Sequence, residues 1–151
     1  SKSPVPTAVH TVPGVATNAD AFMLVPFIVQ IVSAHMISEF GLRIYRVSVG
    51  EAERFPSLAQ EYYESGPMLL RQQLITYLEK CVRRGELQIP DLDLAADQLI
   101  ELAGVTIHDR ALFLGAQSID KDLLRKVNRS AVEMFLACYA TGRQRKVALV
   151  D

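Results

Sequence analysis

The sequence predicts an all-α fold. Three observations lead there. No segment alternates apolar and polar residues at a period of two for long, so nothing reads as a strand. Apolar residues instead recur at three- and four-residue spacing in one stretch after another. The punctuation is also helical: Pro56 and Pro67 suit first turns, where a missing N–H costs nothing, and Gly85, Gly115 and Gly142 suit helix ends.

The elements follow in order. Residues 1–19 are rich in Pro, Val, Thr and Ala without a period, and read as an extended arm, with His10 given no role. Asp20 is a good N-cap for a helix over Ala21–Ile37. That stretch is apolar on nearly all sides. It is short for a membrane span and contains Pro26, Gln30 and His35. Asp20 stands where a signal peptide needs a basic start. A buried core helix is the reading that remains, with Pro26 near its first turn or at a kink. Ile37–Phe55 continues as a helix, with a break placed near Gly41 and an apolar stripe through Leu42, Tyr45, Val49 and Ala52. Arg43, Arg46, Glu51, Glu53 and Arg54 form its solvated side.

Pro56 starts a short helix and Pro67 the next, in which Leu70, Leu74, Tyr77, Leu78 and Cys81 form the apolar stripe over Met68–Arg84. Gly85 suits the left-handed cap. Asp93 is the expected cap of the following helix, with Asp91 the other candidate. Leu94–Leu114 reads as one helix, apolar on more than one side, and Gly104 inside it hints at close packing. Ser118 is the expected cap of the last helix, which runs to about Ala140 with a wide stripe through Leu123, Val127, Ala131, Phe135 and Tyr139. Arg143, Arg145 and Lys146 make a short basic tail. The domain organisation is thus an arm at 1–19, a helical domain at 20–142 and a tail at 143–151.

Bulk properties narrow the function. The chain has 151 residues, 50% hydrophobic and 22% charged, which suits one globular core. Its net charge of −1 does not suit a domain that grips DNA alone, because phosphate neutralisation needs a basic surface. Cys81 and Cys138 lie inside expected helices without a CxxC spacing and read as reduced, buried thiols of a cytoplasmic protein. No phosphate loop, nucleophile elbow, HExxH or other cofactor motif is present. The pair His108-Asp109 is similar to the metal-binding dipeptide of the helical HD phosphohydrolases, but His35 is the only other helical histidine, so neither catalysis nor a metal is expected. What remains is binding. Phe22, Met23, Phe27, Met36, Tyr45, Tyr62, Tyr77 and Phe113 can wall an apolar cavity between helices, with Gln30, His35, Gln73 and His108 as polar groups. Each of these can equally be plain core.

The stretch Gly50–Pro67 carries more. Its run Glu51-Ala52-Glu53-Arg54-Phe55-Pro56, then Leu58-Ala59, Tyr62-Tyr63 and Gly66-Pro67, lies between two amphipathic helices. It resembles the C-terminal effector domain of TetR-family transcriptional regulators, in the branch with an AefR-like C-terminal domain. The resemblance covers roughly Leu42 to Gly142. It implies a ligand-responsive domain of a repressor that dimerises through its last two helices, making a four-helix bundle from two copies. Carried over, Leu99, Leu102, Val105, Val132, Phe135 and Tyr139 are the expected interface, with Ala103, Gly104 and Ala131 small enough for close approach. Phe22, Phe27, His35, Tyr45, Tyr62, Tyr77 and His108 are the expected contacts to a small hydrophobic effector. Residues 1–41 show no helix-turn-helix pattern, so operator DNA would be reached only through a domain absent from this chain, and no membrane is implied. The alternative is a stand-alone helical module that binds a hydrophobic small molecule or partner and has no DNA role.

Overall fold

The structure, a computed structural model, describes residues 20–142. The expected arm and the basic tail with Arg143, Arg145 and Lys146 lie outside the described residues. Among the described residues the architecture is helical throughout, as the periodicity predicts.

Helix α1 spans Ala21–Ile37, with the Asp20 carboxylate accepting a hydrogen bond from the Met23 N–H at 2.9 Å. Leu24, Val25, Ile28, Val29 and Val32 are buried, so its apolar character is that of a core helix. Pro26 lies beyond the first turn, inside the helix. No single helix among the described residues is long and apolar enough to cross a membrane.

The chain then bends by 66° into α2, Glu39–Gly50. The break falls at Ser38 and not near Gly41 as expected. Ser38 Oγ donates to the His35 carbonyl at 2.8 Å and accepts from the Gly41 N–H at 3.0 Å, closing one helix and opening the other. Gly41 has its own reason to be small: a Cβ there would collide with the His35 carbonyl oxygen.

Helices α3 (Pro56–Ser65) and α4 (Pro67–Arg83) both begin at their prolines, as expected. No α3 residue is fully buried, whereas α4 buries Leu74, Tyr77, Leu78 and Cys81. Gly85, at φ +76°, then turns the chain in the left-handed conformation foreseen for it.

Helix α5 is Leu92–Gly104 and its cap is Asp91, which accepts from the Leu94 N–H at 3.0 Å. Asp93, the first expectation, instead reaches Arg71 of α4 at 3.3 Å. The expected single helix over Leu94–Leu114 is two. At Thr106, φ +71° and ψ −42°, the chain makes a γ-turn in which the Ile107 N–H bonds the Val105 carbonyl at 2.8 Å, and α6 (Ile107–Leu114) departs in a new direction. Its buried residues, Ile107 and Ala111, anchor α6, which packs against α1 and α2. Tertiary packing therefore breaks a stretch that local periodicity leaves continuous.

After a short 3₁₀ turn, Ala116–Ser118, comes α7, Lys121–Tyr139. Asp120 caps it, accepting from the Leu123 N–H at 2.7 Å, while Ser118 belongs to the turn before. Helix α7 stops at Tyr139, short of Gly142. There Ala140 pairs with Leu87 as an isolated antiparallel bridge, with Gln88 N–H to the Tyr139 carbonyl at 2.8 Å and Thr141 N–H to the Glu86 carbonyl at 3.1 Å. The pairing takes backbone groups that another helical turn would need.

Helix α1 lies at the centre, packed by α4, α5, α6 and α7. Gly104 makes the close approach that the sequence suggested, but within one chain: a Cβ there would meet the Met36 thioether of α1. Cys81 is buried and Cys138 is exposed, against the expectation that both are buried.

Candidate functional site

The end of α1, the length of α5, the first turn of α6 and the C-terminal half of α7 enclose a groove of about 750 Å³. Met36 and Phe135 lie deep in it, and Leu102 lines its wall. Along its edges Leu94 and Val105 of α5 are each 52% exposed and Met134 of α7 is 58% exposed. Large apolar side chains are thus left open close together along one groove.

The face of α7 on this side has a simple code. Leu123, Val127, Ser130, Met134 and Cys138 follow at three- and four-residue spacing, and none carries a charge. The charges Asp122, Arg125, Lys126, Arg129 and Glu133 gather around a polar depression that Ser130 of the stripe borders as well. The groove's polar rim is Asp97, Gln98, Glu101, His108 and Asp109. Asp97 is held by Arg71 at 2.6 Å, and the Tyr139 hydroxyl donates to Gln98 Oε1 at 3.1 Å.

His108 joins this groove to α2. Its imidazole lies edge-on to the Tyr45 ring, with centroids 4.8 Å apart. Burial lowers the affinity of His108 for a proton and outweighs the opposite pull of Asp109 and Glu101. One residue further along α2, the Arg46 guanidinium donates to the carbonyls of Ala111, at 3.3 Å, and Leu112. The Ala111 carbonyl also accepts from the Gly115 N–H at 2.8 Å, so Arg46 adds a second donor there and supplies one to the Leu112 carbonyl.

The structure redistributes the residues expected at an interface. Leu99 (0% exposed) is buried inside the subunit, and Phe135 (2%) is buried at the floor of the groove. Ala103 and Ala131 are buried as well. Val132 and Tyr139 lean against the same core from its edge. Leu102, Val105, Phe135 and Tyr139 line the groove. Sequence reasoning missed Leu94, Met134 and Cys138 as groove residues; the uncharged spacing along α7 was a signal for the last two.

The expected effector contacts are scattered. Only His108 of the seven lines the groove, and only it and Tyr45 meet ring to ring. Tyr77 sits in the core, with the Lys80 ammonium 5.7 Å from its ring centroid. Phe22 packs against that core, and Phe27 is half-buried on α1. Tyr62 is half-buried on α3, where desolvation pushes its phenol pKa up. His35 is exposed at the end of α1 and does not line the groove. Among the described residues no three His, Cys, Asp or Glu side chains converge as metal ligands.

An all-helical domain with a central helix, a proline-started α3–α4 corner and an open apolar face on its last long helices has the plan of a TetR-type regulator's C-terminal domain. Residues 26–141 match the C-terminal domain of the AefR-like transcriptional repressors, and the chain belongs to that family. Among solved structures it is similar to a protein from Mesorhizobium loti MAFF303099 assigned to the TetR family of transcriptional regulators. The two share 23% identity with a TM-score of 0.66, over 80% of this chain and 70% of that one, a likeness of fold. No curated protein matches the chain.

Proposed function

We propose that this domain is the non-enzymatic, ligand-responsive dimerisation part of a cytoplasmic TetR-type repressor. Two copies pair through the groove face of α5 and α7, and a small hydrophobic effector binds on the α2 side near Tyr45 and His108. Operator DNA is read by a helix-turn-helix domain that is not part of this chain, and neither cofactor nor membrane takes part.

One observation carries the pairing half: exposed Leu94, Val105 and Met134 border a single apolar groove beside an uncharged stripe on α7. A face of that kind is expensive to leave in water, at roughly 25 cal/mol for each Å² of apolar surface. The family supplies the rest of the reading. Sedimentation equilibrium at micromolar concentration tests it. The chain is expected to be a dimer, and Met134→Glu, which places a charge on the stripe, is expected to give folded monomer. A wild-type chain that is monomeric throughout refutes the proposal. For the effector half, native mass spectrometry of the purified chain is expected to reveal a bound apolar molecule that Tyr45→Ala releases.

A further inference from the structure

We infer that the α5–α6 junction is a two-position joint, held bent by α1 and α2, and that its position shapes the pairing face. The first observation is a conflict. Leu94–Leu114 contains no proline and has the apolar spacing of one helix, yet the chain breaks at Val105–Thr106. The second is strain. Thr106 is the one non-glycine residue with positive φ among the described residues, at +71°, and a β-branched side chain is ill suited to that region. A conformation of this kind persists only where surrounding contacts impose it.

The third observation identifies the contacts. Helix α2 grips α6 at both ends: Tyr45 lies against His108 in the first turn, and Arg46 binds the carbonyls of Ala111 and Leu112 in the last. If α2 lets go and Ile107 and Ala111 leave the core beside α1, Thr106 can relax to helical angles and α5 can run on into α6 as the periodicity dictates. The Val105, Thr106, His108 and Asp109 side chains all line the groove, so straightening the joint rebuilds one end of the pairing face. A molecule that displaces α2 would then change how two copies fit. This consequence rests on the pairing reading proposed above, whereas the joint itself does not.

Amide hydrogen exchange and sedimentation equilibrium on the full chain separate the two. Thr106→Ala favours the straight helix and Thr106→Gly the bend, because glycine accepts positive φ and weakens a helix. Arg46→Ala removes the grip. Exchange at residues 105–108 is expected to slow by tenfold or more in Thr106→Ala and Arg46→Ala, and to stay as in the wild type in Thr106→Gly. The dimer dissociation constant is expected to move by about tenfold in the first two only. Unchanged or faster exchange in Thr106→Ala overturns the joint, even if Arg46→Ala fails to fold. Slowed exchange with an unaltered dissociation constant overturns its influence on pairing. A wild-type chain that stays monomeric while exchange behaves as described overturns the pairing reading and leaves the joint standing.

Discussion

The Tyr45 ring of α2 meets the His108 imidazole of α6 edge-on, 4.8 Å between centroids, and this contact joins α2 to the first turn of α6. It makes His108 a titration reporter. Burial lowers its folded pKa below the ordinary 6.5, while Glu101 and Asp109 oppose the shift. In the interval between the folded and unfolded values the unfolded chain binds more protons, so stability rises with pH there. The contribution is complete above about 6.5 and is lost as pH falls through the folded value. Urea midpoints measured at about pH 7.5 and about pH 5.5 should fall toward acid, and His108→Gln should flatten that part of the slope.

Gly41 is pinned by the corner between α1 and α2. A methyl group there runs into the His35 carbonyl oxygen and crowds Ser38 Oγ, and a carbonyl in the backbone cannot swing aside as a side chain can. Gly41→Ala should lower the unfolding free energy by about 1–3 kcal/mol, despite the better helix propensity of alanine. Gly50→Ala, with open space around it, should not destabilise and serves as the control.

The cap of α5 can be assigned by comparison. Asp91 satisfies the Leu94 N–H, and Asp91→Ala should cost about 1 kcal/mol. Asp93 has an exposed ion pair with Arg71, and Asp93→Ala should cost less, about 0–1 kcal/mol. Equal losses in chemical denaturation would contradict the assignment.

Leu99 and Val105 should separate core from face. Leu99→Ala empties a sealed position and should cost about 2–5 kcal/mol in unfolding of the subunit. Val105→Ser, half in water already, should stay within about 1 kcal/mol for the subunit and act instead on the dimer dissociation constant.

Much of the helical layout was legible in the residues. Asp20, Pro56, Pro67 and Gly85 act through local backbone chemistry, and each does in the structure what its type dictates. The stripe Leu74, Tyr77, Leu78 and Cys81 also reads directly, because a helix buried on one side must repeat. The site was less legible. Leu99 and Val105 are both apolar residues of the same stretch, and periodicity alone cannot say which of two apolar sides its own subunit covers. Leu94, Met134 and Cys138 were passed over because nothing in their types distinguishes an open apolar position from a closed one.

The sequence by itself determined an all-helical chain, the places where most of its helices begin, and the family run from Gly50 to Pro67. These depend on interactions within a turn or two of the residue concerned. The tertiary structure alone decided that α5 and α6 part at Thr106, that α7 yields to a bridge at Ala140, and which side of α5 and α7 stays open. Those outcomes depend on what α1, α2 and Leu87 press against from elsewhere in the chain, and contacts of that range leave no period in the sequence.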